Sequence, residues 1–539
     1  FQNTININPY GTTNFTASGA TTQIILSKYS KSGQLIWGKT MGGTPTSEAP
    51  HGVECDAAKN IYMTGYFGST TQAGPQNADF NPNGGGTIAT QGNEDCFAAK
   101  YDQNGNYLWA FGLGNTAANT QERAWDIAVE ASGNLYIGGG YHGTMNFNPL
   151  GTALNKILPD TNAGLFFAKY NTNGINQWVV SINAGCTSVF TEAYITFDLD
   201  NSGNLYVAGN FRGSNVDFNP NGSPVTLTSS GLTDIFIAKY NAADGTLLWV
   251  KKIGGTAAEV VSPGALRCDH NGNPYFTGRL SGTGSVDFNP SATTVNVTNS
   301  ALFLTSFDAT GNLRFANGFN SGTGDGGHRI SFDSENNVYL AGWMNGTVSF
   351  GTGINITANS PTADAFLAKF TNSGTVQWAF SFGGTGATAN NICAGLIVDQ
   401  ENNPIITGQL YGTNANVNPL GTNPLNLSSI GNNDCFVIKY DKDGQLWNNQ
   451  SMLANSFSFE NKVIVFPNPT KDKFEINNTS NNLKLKQLEI FNISGKRLDC
   501  IELNASNRII DLFNYNSGVY ILKFTSDNQS VSFLKLVKQ

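Results

Sequence analysis

The segment Phe97-Ala-Ala-Lys-Tyr101, followed by the turn Asp102-Gln-Asn-Gly105 and by Trp109, decides the fold because the chain contains seven copies of it. In each copy an apolar strand ends in Lys-Tyr or a close variant, and a polar turn closed by glycine leads to an aromatic residue. Glycine supplies the positive φ of a tight turn, so each copy predicts one antiparallel hairpin. The copies begin at Ile25, Phe97, Phe166, Phe236, Phe303, Phe366 and Phe436.

A second hairpin lies between successive copies and occurs six times, as in Val53-Glu-Cys-Asp56 followed by Ile61-Tyr-Met-Thr-Gly65. Two hairpins per period of roughly 63–72 residues make four antiparallel strands, which form one blade of a β-propeller. Long helical periodicity is absent, which excludes a solenoid of alternating strands and helices. The sequence therefore predicts an all-β chain, with a propeller of about seven four-stranded blades over residues 1–450. We name the strands of a blade A, B, C and D, and the second hairpin is A–B.

The first C–D hairpin has no A–B partner in the sequence. The segment Ile5-Asn-Ile-Asn-Pro9 is similar to Val216-Asp-Phe-Asn-Pro220, which follows strand B elsewhere. We therefore expect the first blade to be incomplete, the chain to start just after a missing A–B hairpin, and the ring to be open. The start at Phe1, without a signal-peptide pattern, indicates a removed leader or a fragment.

This pattern resembles the SBBP, or seven-bladed β-propeller, repeats of bacterial surface and secreted proteins. The resemblance covers residues 1–450 and rests on the Ala-Lys-Tyr strand, the Asn-Gly turn and the tryptophan. It implies an architecture and no single function, because a fold does not carry a function by itself.

The composition of the chain limits the kinds of partner that it could bind. The chain has 38 acidic and 30 basic residues, a formal charge of −8 and a pI near 5.1, which argues against nucleic-acid binding. No apolar run approaches the roughly 20 residues of a membrane helix, so no direct membrane insertion is predicted. The seven cysteines show no metal-ligand spacing, which favours buried free thiols over disulfides.

The connections between strands indicate where a ligand would bind. B–C and D–A connections lie on one side of a propeller, which we call the D–A side, and these connections are long and variable here. Variable loops on a rigid scaffold are the expected binding surface. The B–C pieces carry Asp/Asn-Phe-Asn-Pro, as in Asp79-Phe-Asn-Pro82, which we interpret as structural, with a ligand for sugar or Ca²⁺ as the alternative.

Acidic side chains recur at one position of the D–A loops. If strand A is innermost, they would ring the mouth of the central channel, where they could hold Ca²⁺ or glycan hydroxyls. In the alternative that we favour, each accepts N–H bonds from its own loop. The position is occupied by Glu48, Glu122, Glu192, Asp325 and Asn391, and Glu259 lies two residues away from it.

Other polar patterns have structural interpretations. Asp198-Leu-Asp-Asn-Ser-Gly203 is similar to the start of a calcium loop, but a hairpin turn is favoured because the other copies lack its oxygens. The lysine of Ala-Lys-Tyr is expected to lie along the sheet or to pair with a neighbouring acid.

Catalytic motifs are absent from the sequence, although a paired-carboxylate glycosidase remains an alternative. His51 and His328 occupy equivalent places near strand A. No cofactor is predicted, apart from the Ca²⁺ alternative.

The blade pattern stops after Trp447. Residues 451–461 are predicted to be a linker, and residues 462–539 show short alternating strands typical of a small β-sandwich. This segment resembles the type A C-terminal sorting domain of the type IX (Por) secretion system of Bacteroidota. The matching motifs are Phe466-Pro-Asn-Pro469, Asn492-Ile-Ser-Gly-Lys496, Ser517-Gly-Val-Tyr520 and the basic tail. Within them, the expected sorting residues are Pro467, Asn468, Pro469, Gly495, Lys496, Gly518, Tyr520 and Lys535.

The resemblance implies export by the type IX machinery, removal of the tag, and release or attachment at the cell surface. We expect a secreted or outer-membrane-surface protein that binds glycan or protein without catalysis. The alternatives are a secreted glycan-directed hydrolase with its site at the channel mouth, or a structural part of a larger adhesin. The pattern does not determine an oligomeric state.

Overall fold

A computed structural model of the chain shows two compact units, residues 1–447 and residues 448–539. The structure describes residues 1–17, 22–43, 46–69, 75–115, 120–159, 162–281, 284–289, 293–298, 300–319, 326–351, 353–360, 362–386, 390–429, 433–447, 463–466, 470–478, 485–492, 496–503, 509–526 and 531–538. The predicted linker, residues 451–461, lies outside the described residues.

The first unit is a β-propeller, and the all-β prediction is confirmed. Blade one is a two-stranded sheet, blades two to six have four antiparallel strands, and blade seven has three. In blade seven the expected fourth strand is reduced to a bridge between Tyr440 and Leu446.

The blade strands follow in chain order. Blade one has β3 (Ile24–Tyr29) and β4 (Leu35–Met41). Blade two has β5 (Ser47–Cys55), β6 (Ile61–Gly68), β9 (Glu94–Tyr101) and β10 (Tyr107–Leu113). Blade three has β11 (Arg123–Val129), β12 (Leu135–Tyr141), β15 (Ala163–Tyr170) and β16 (Asn176–Cys186). Blade four has β17 (Ile195–Leu199), β18 (Asn204–Phe211), β21 (Asp234–Asn241) and β22 (Leu247–Ile253). Blade five has β23 (Ala258–Cys268), β24 (Pro274–Ser281), β27 (Leu302–Phe307) and β28 (Leu313–Phe319). Blade six has β29 (Gly326–Phe332), β30 (Val338–Met344), β33 (Asp364–Phe370) and β34 (Val376–Phe382), and blade seven has β35 (Ile392–Val398), β36 (Pro404–Tyr411) and β39 (Asn433–Lys439).

Each blade also carries a small two-stranded hairpin between strands B and C, which the sequence did not predict. These hairpins are β1 (Thr4–Asn6) with β2 (Asn14–Thr16), β7 (Asn77–Asp79) with β8 (Thr87–Ala89), β13 (Thr144–Asn146) with β14 (Asn155–Ile157), β19 (Val216–Asp217) with β20 (Thr226–Leu227), β25 (Ser285–Asp287) with β26 (Asn296–Thr298), β31 (Thr347–Ser349) with β32 (Asn355–Thr357), and β37 (Ala415–Asn416) with β38 (Asn426–Leu427).

The small hairpins fold back along their blades to the C–D turns. The Tyr101 hydroxyl, at the end of strand C, donates to the Phe80 carbonyl at 2.8 Å, and Tyr240 donates to Phe218 in the same way. Asp79 caps its own loop, since its Oδ1 accepts the N–H groups of Asn81 and Gly86. The Asp/Asn-Phe-Asn-Pro pieces therefore begin on the D–A side, where Asp79 bridges Gly42 after strand D of blade one, and extend along the blade toward the C–D turn.

Blade-to-blade packing explains the repeated lysine and tryptophan. The Lys169 ammonium and the Trp178 indole N–H both donate to the Ala242 carbonyl in the C–D turn of the next blade, at 3.0 and 3.3 Å. Lys169 also pairs with Glu130 at 2.7 Å, as expected from the sequence. The same two donors share one carbonyl of the next blade at Thr172, Ala309 and Lys442.

Strand A is innermost in blades two to seven, and neighbouring A strands of these blades pack against each other around the axis. Apolar clusters fill the spaces between blades. One of them joins Tyr62 and Cys96 of blade two to Ile127 and Ile137 of blade three. All seven cysteines are free, and Cys96, Cys186 and Cys393 are buried.

The second unit contains two sheets. The first has β40 (Val463–Phe466), β41 (Lys473–Asn478) and β44 (Ile509–Asp511). The second has β43 (Arg497–Glu502), β42 (Leu485–Asn492), β45 (Gly518–Ser526) and β46 (Val531–Lys538). Phe474 of the first sheet and Leu488 of the second share one buried core, as in a β-sandwich.

Candidate functional site

The acidic position at the start of strand A is buried rather than displayed. Glu48, Glu122, Glu259 and Asn391 are at most 1% exposed. Their backbone N–H groups donate to equivalent carbonyls at or just ahead of the start of strand C, namely those of Thr22, Glu94, Thr233 and Ala363. Glu259 shares the position despite its offset, because β23 contains an irregularity between Val261 and Leu266 that absorbs the extra residues.

The carboxylates of this position hold their own loops. Glu48 accepts the Gly43 N–H at 3.2 Å, and Glu259 accepts the Gly255 N–H at 3.1 Å. Glu192 is held differently, by the N–H and hydroxyl of Thr187. Asp325 lies outside the described residues. Within the described part of the chain, no three His, Cys, Asp or Glu side chains are grouped as a metal site.

A second buried acid lies beside this position in two blades. Asp95 neighbours Glu122, and Asp234 neighbours Glu259. Burial, reinforced by the neighbouring aspartate, raises the pKa of Glu122 well above its usual value and that of Glu259 to about 7. Near neutral pH Glu259 is therefore partly protonated, and in both acids the raised pKa weakens the attraction for a cation.

The axis of the propeller is filled by opposite charges. Arg267 of blade five lies 3.5 Å from Glu54 of blade two, and Asp126 and Asp198 also face it. Asp198 accepts the Cys268 N–H of the next blade at 2.8 Å. The segment around Asp198 thus belongs to a hairpin turn and contacts the next blade. The ion pair between Arg267 and Glu54 joins two blades across the channel. A sequence signal existed, since Glu54, Asp198 and Arg267 occupy the same register position of strand A in their blades, opposite a strand B tyrosine.

The two predicted histidines occupy equivalent positions between blades. His51 Nδ1 lies 2.8 Å from the Ala124 carbonyl, and His328 Nδ1 lies 3.2 Å from the Cys393 carbonyl. Burial lowers the pKa of His51 to about 4 and that of His328 well below its usual value. Both rings therefore stay neutral at neutral pH, and each joins its blade to the next.

Aromatic side chains gather at the D–A mouth of the channel. The Arg123 guanidinium lies 3.8 Å from the Tyr66 ring centroid and 4.0 Å from the Phe190 ring centroid. Its Nη2 pairs with Glu94 at 2.8 Å, which fixes its orientation. Tyr66 and Phe190 remain partly exposed.

Two further rings extend this group. Trp125 stacks on His51 with centroids 4.5 Å apart and meets Tyr194 edge to face at 5.0 Å. We call Tyr66, Arg123, Trp125, Phe190 and Tyr194 the mouth cluster. The sequence analysis missed it, because its members come from different positions in blades two to four.

A polar groove lies at the outer edge of the sheet of blade three, between its strand D and the small hairpin of blade four. Its volume is about 660 Å³, and its lining includes Ser181, Asn183, Arg212 and Asp217. Hydroxyl, amide, guanidinium and carboxylate groups therefore converge on one concave surface.

The sorting residues lie in the second unit. Pro467, Asn468, Pro469 and Gly495 are outside the described residues. Lys496 is exposed, and its N–H donates to Asn492 Oδ1 at 2.9 Å. Gly518 begins β45, the Tyr520 hydroxyl donates to the Asn516 carbonyl, and Lys535 lies opposite Ile521 in the sheet.

Comparison with known proteins identifies this second unit. Residues 464–539 match the family model of the secretion system C-terminal sorting domain. Such a domain indicates export through the type IX system, so the protein is secreted or displayed at the cell surface. No helix in the described part of the chain is long and apolar enough to cross a bilayer.

The chain has distant relatives. An uncharacterised WD repeat-containing protein of Acanthamoeba polyphaga mimivirus is 25% identical over 486 residues, which is 77% of this chain and 34% of that protein. An ulvan lyase of Nonlabens ulvanivorans is 33% identical over 97 residues, 18% of each chain. The chain thus spans a third or less of the length of these relatives.

Solved structures show weak similarity. A Bacteroides caccae protein of unknown function gives a TM-score of 0.30 at 12% identity, over 65% of this chain and 88% of that one. The extracellular domain of a putative hybrid two-component system of B. thetaiotaomicron gives 0.19 at 12% identity, over 100% and 86%. Scores this low carry no argument, and the propeller assignment rests on the sheets themselves.

Proposed function

We propose that this protein is an exported, SBBP-like propeller that binds a glycan at the D–A mouth without catalysis. The mouth cluster supports this proposal most directly. Tyr66, Phe190 and Tyr194 are partly exposed, and the Arg123 guanidinium lies on the Tyr66 and Phe190 rings. Aromatic walls with a few polar groups are typical of small-ligand sites.

The burial of the acids supports binding rather than hydrolysis. A glycosidase needs two carboxyl groups that reach the scissile bond. Glu48, Glu122 and Glu259 are instead covered, and Glu48 and Glu259 accept N–H groups of their own loops. The proposal therefore needs neither a catalytic acid nor Ca²⁺.

A glycan array followed by titration calorimetry tests the proposal. We expect binding without product release, unchanged by EDTA. Tyr66→Ala and Tyr194→Ala should each weaken binding about tenfold or more, as anchor residues do. Tyr10→Ala is the matched control, because Tyr10 is exposed but belongs to the small hairpin of blade one.

Three outcomes contradict the proposal. Equal glycan affinity of the Tyr66 variant and the wild-type protein would show that the mouth cluster is not part of the binding site. Release of shortened sugars by the wild-type protein would favour the hydrolase. Loss of glycan binding in EDTA would indicate that a divalent cation takes part in binding and that the acidic position holds it.

A further inference from the structure

One position near the D–A end of strand B carries a different residue in each blade. It directly follows the glycine that faces the first phenylalanine of strand C, as Gly278 faces Phe303 in blade five. Because strand B ends on the D–A side, these residues lie near the mouth of the channel. In blades two to seven they are Tyr66, Gly140, Asn210, Arg279, Trp343 and Gln409.

Arg279 is the cation at this position. Its side chain is exposed, and in blade five it stands opposite Val260 of strand A. Burial raises the pKa of Tyr194 in the mouth cluster, and the charges of Arg279 and Arg123 oppose that rise. Two guanidinium groups, one from blade three and one from blade five, therefore lie close to one phenol of the mouth cluster.

The two guanidinium groups differ in what already holds them. Arg123 pairs with Glu94 at 2.8 Å and lies on the Tyr66 and Phe190 rings, so its charge is largely balanced. Arg279 forms no ion pair with any residue that the structure describes. The formal charge of the whole chain is −8, so an exposed arginine without an acidic partner is a local exception.

A second arginine adds positive charge inside the channel. Burial lowers the pKa of Arg329 to about 10, so this side chain stays charged at neutral pH. The nearest opposing charge is Asp126, which also faces Arg267. The Arg329 guanidinium donates to the carbonyl groups of Pro263, His328 and His51. Because the His51 ring stacks on Trp125, this charge lies next to the mouth cluster.

We propose that the D–A mouth binds an acidic glycan, with a carboxylate or sulfate group of the sugar held by Arg279. The inference rests on the proposed function and names its ligand class. A guanidinium group presents a fork of N–H donors that matches a carboxylate or a sulfate with two parallel hydrogen bonds. The rings of the mouth cluster then contact the sugar, and the charge of Arg329 adds attraction for the anion.

Two pairs of probes test the ligand class on the full chain by titration calorimetry. Galacturonate hexasaccharide is compared with its methyl ester, and dextran sulfate is compared with dextran. We expect the anionic member of at least one pair to bind about tenfold more tightly than its neutral partner, or better, because hydrogen bonds to charged groups are the stronger ones. The pair that shows the difference identifies carboxylate or sulfate as the recognised group.

Variants of Arg279 test the residue. Arg279→Gln should weaken binding of the anionic probe about tenfold and leave binding of the neutral probe unchanged. Arg279→Lys, which keeps the charge and loses the fork, should weaken it less. Lys31→Gln is the matched control, because it removes one positive charge from an exposed side chain in the C–D turn of blade one. Thermal melts check that each variant folds, and Arg279→Lys carries the test if Arg279→Gln does not.

The outcomes separate this inference from the proposed function. Neutral probes that bind as tightly as anionic ones, and lose affinity in Tyr66→Ala, overturn the acidic ligand and leave the glycan site standing. Equal losses in Arg279→Gln and Lys31→Gln also overturn it, because they would show attraction by net charge alone. Failure of all four probes overturns the inference, and failure of the whole glycan array overturns the proposed function with it.

Discussion

The two sides of the propeller differ in what repeats. On the C–D side, a lysine and a tryptophan bond one carbonyl of the next blade at interface after interface, as Lys169 and Trp178 do with Ala242. On the D–A side, the buried acidic position recurs, but the residues of the mouth cluster come from different positions of blades two to four. The repeated residues are thus explained by packing between blades. Residues that bind a ligand are expected at positions that differ from blade to blade.

The largest effect is expected from breaking a C–D contact. Trp178→Ala should destabilise the propeller by about 3–5 kcal/mol, because it removes a buried ring and an interblade hydrogen bond. Urea unfolding measures the change. Trp178→Phe is the control, since it keeps a ring and loses only the N–H. Similar losses for both variants would mean that the hydrogen bond, rather than packing, joins the blades.

The D–A side should respond to pH. Burial raises the pKa of Glu48 and of Glu259 from 4.5 to about 7. Because the folded state then binds protons more tightly, the stabilisation is complete below about pH 4.5 and is lost as the pH rises through 7. Glu48→Gln and Glu259→Gln should match wild type near pH 4.5 and exceed its stability at pH 8, by up to about 3 kcal/mol each.

The C–D side supplies a control of opposite sign. Burial of Glu130 is outweighed by hydrogen bonds from Lys169 and Tyr136, which lower its pKa to about 2. Glu130→Gln should therefore reduce stability at neutral pH and have less effect in acid. Thermal melts across pH 4 to 8 compare the variants, and parallel pH profiles for wild type and Glu48→Gln would contradict the assignment.

The smallest effect separates packing from backbone strain. Gly245 and Gly203 have φ of +75° and +79°, but a Cβ on Gly245 would lie 2.9 Å from the Trp178 ring, whereas Gly203 has open space. Alanine at Gly203 should cost about 1 kcal/mol of strain. Alanine at Gly245 should cost more, because the tryptophan must also move. Equal costs in urea unfolding would mean that this turn is not packed under its neighbour.

Particular residues show how far the sequence could be interpreted. The Phe97 repeat and its turn predicted the blades, because hairpin periodicity is local. The paths of the small hairpins were not predictable, since the Tyr101 hydroxyl reaches Phe80 across 21 positions of sequence. The spacing of Glu48 and Glu122 identified a real equivalence, but their burial depends on loops folded over them.

The sequence by itself determined the repeated A–B and C–D hairpins and the sorting segment, because these depend on short-range turns and alternation. Only the tertiary structure decided that the acids hold their own loops, that Arg267 reaches Glu54 across the channel, and that Tyr66, Arg123 and Phe190 meet at one mouth. The physical reason is that burial, charge pairing and ring contact depend on distances between blades, which closure of the propeller sets and no single repeat contains.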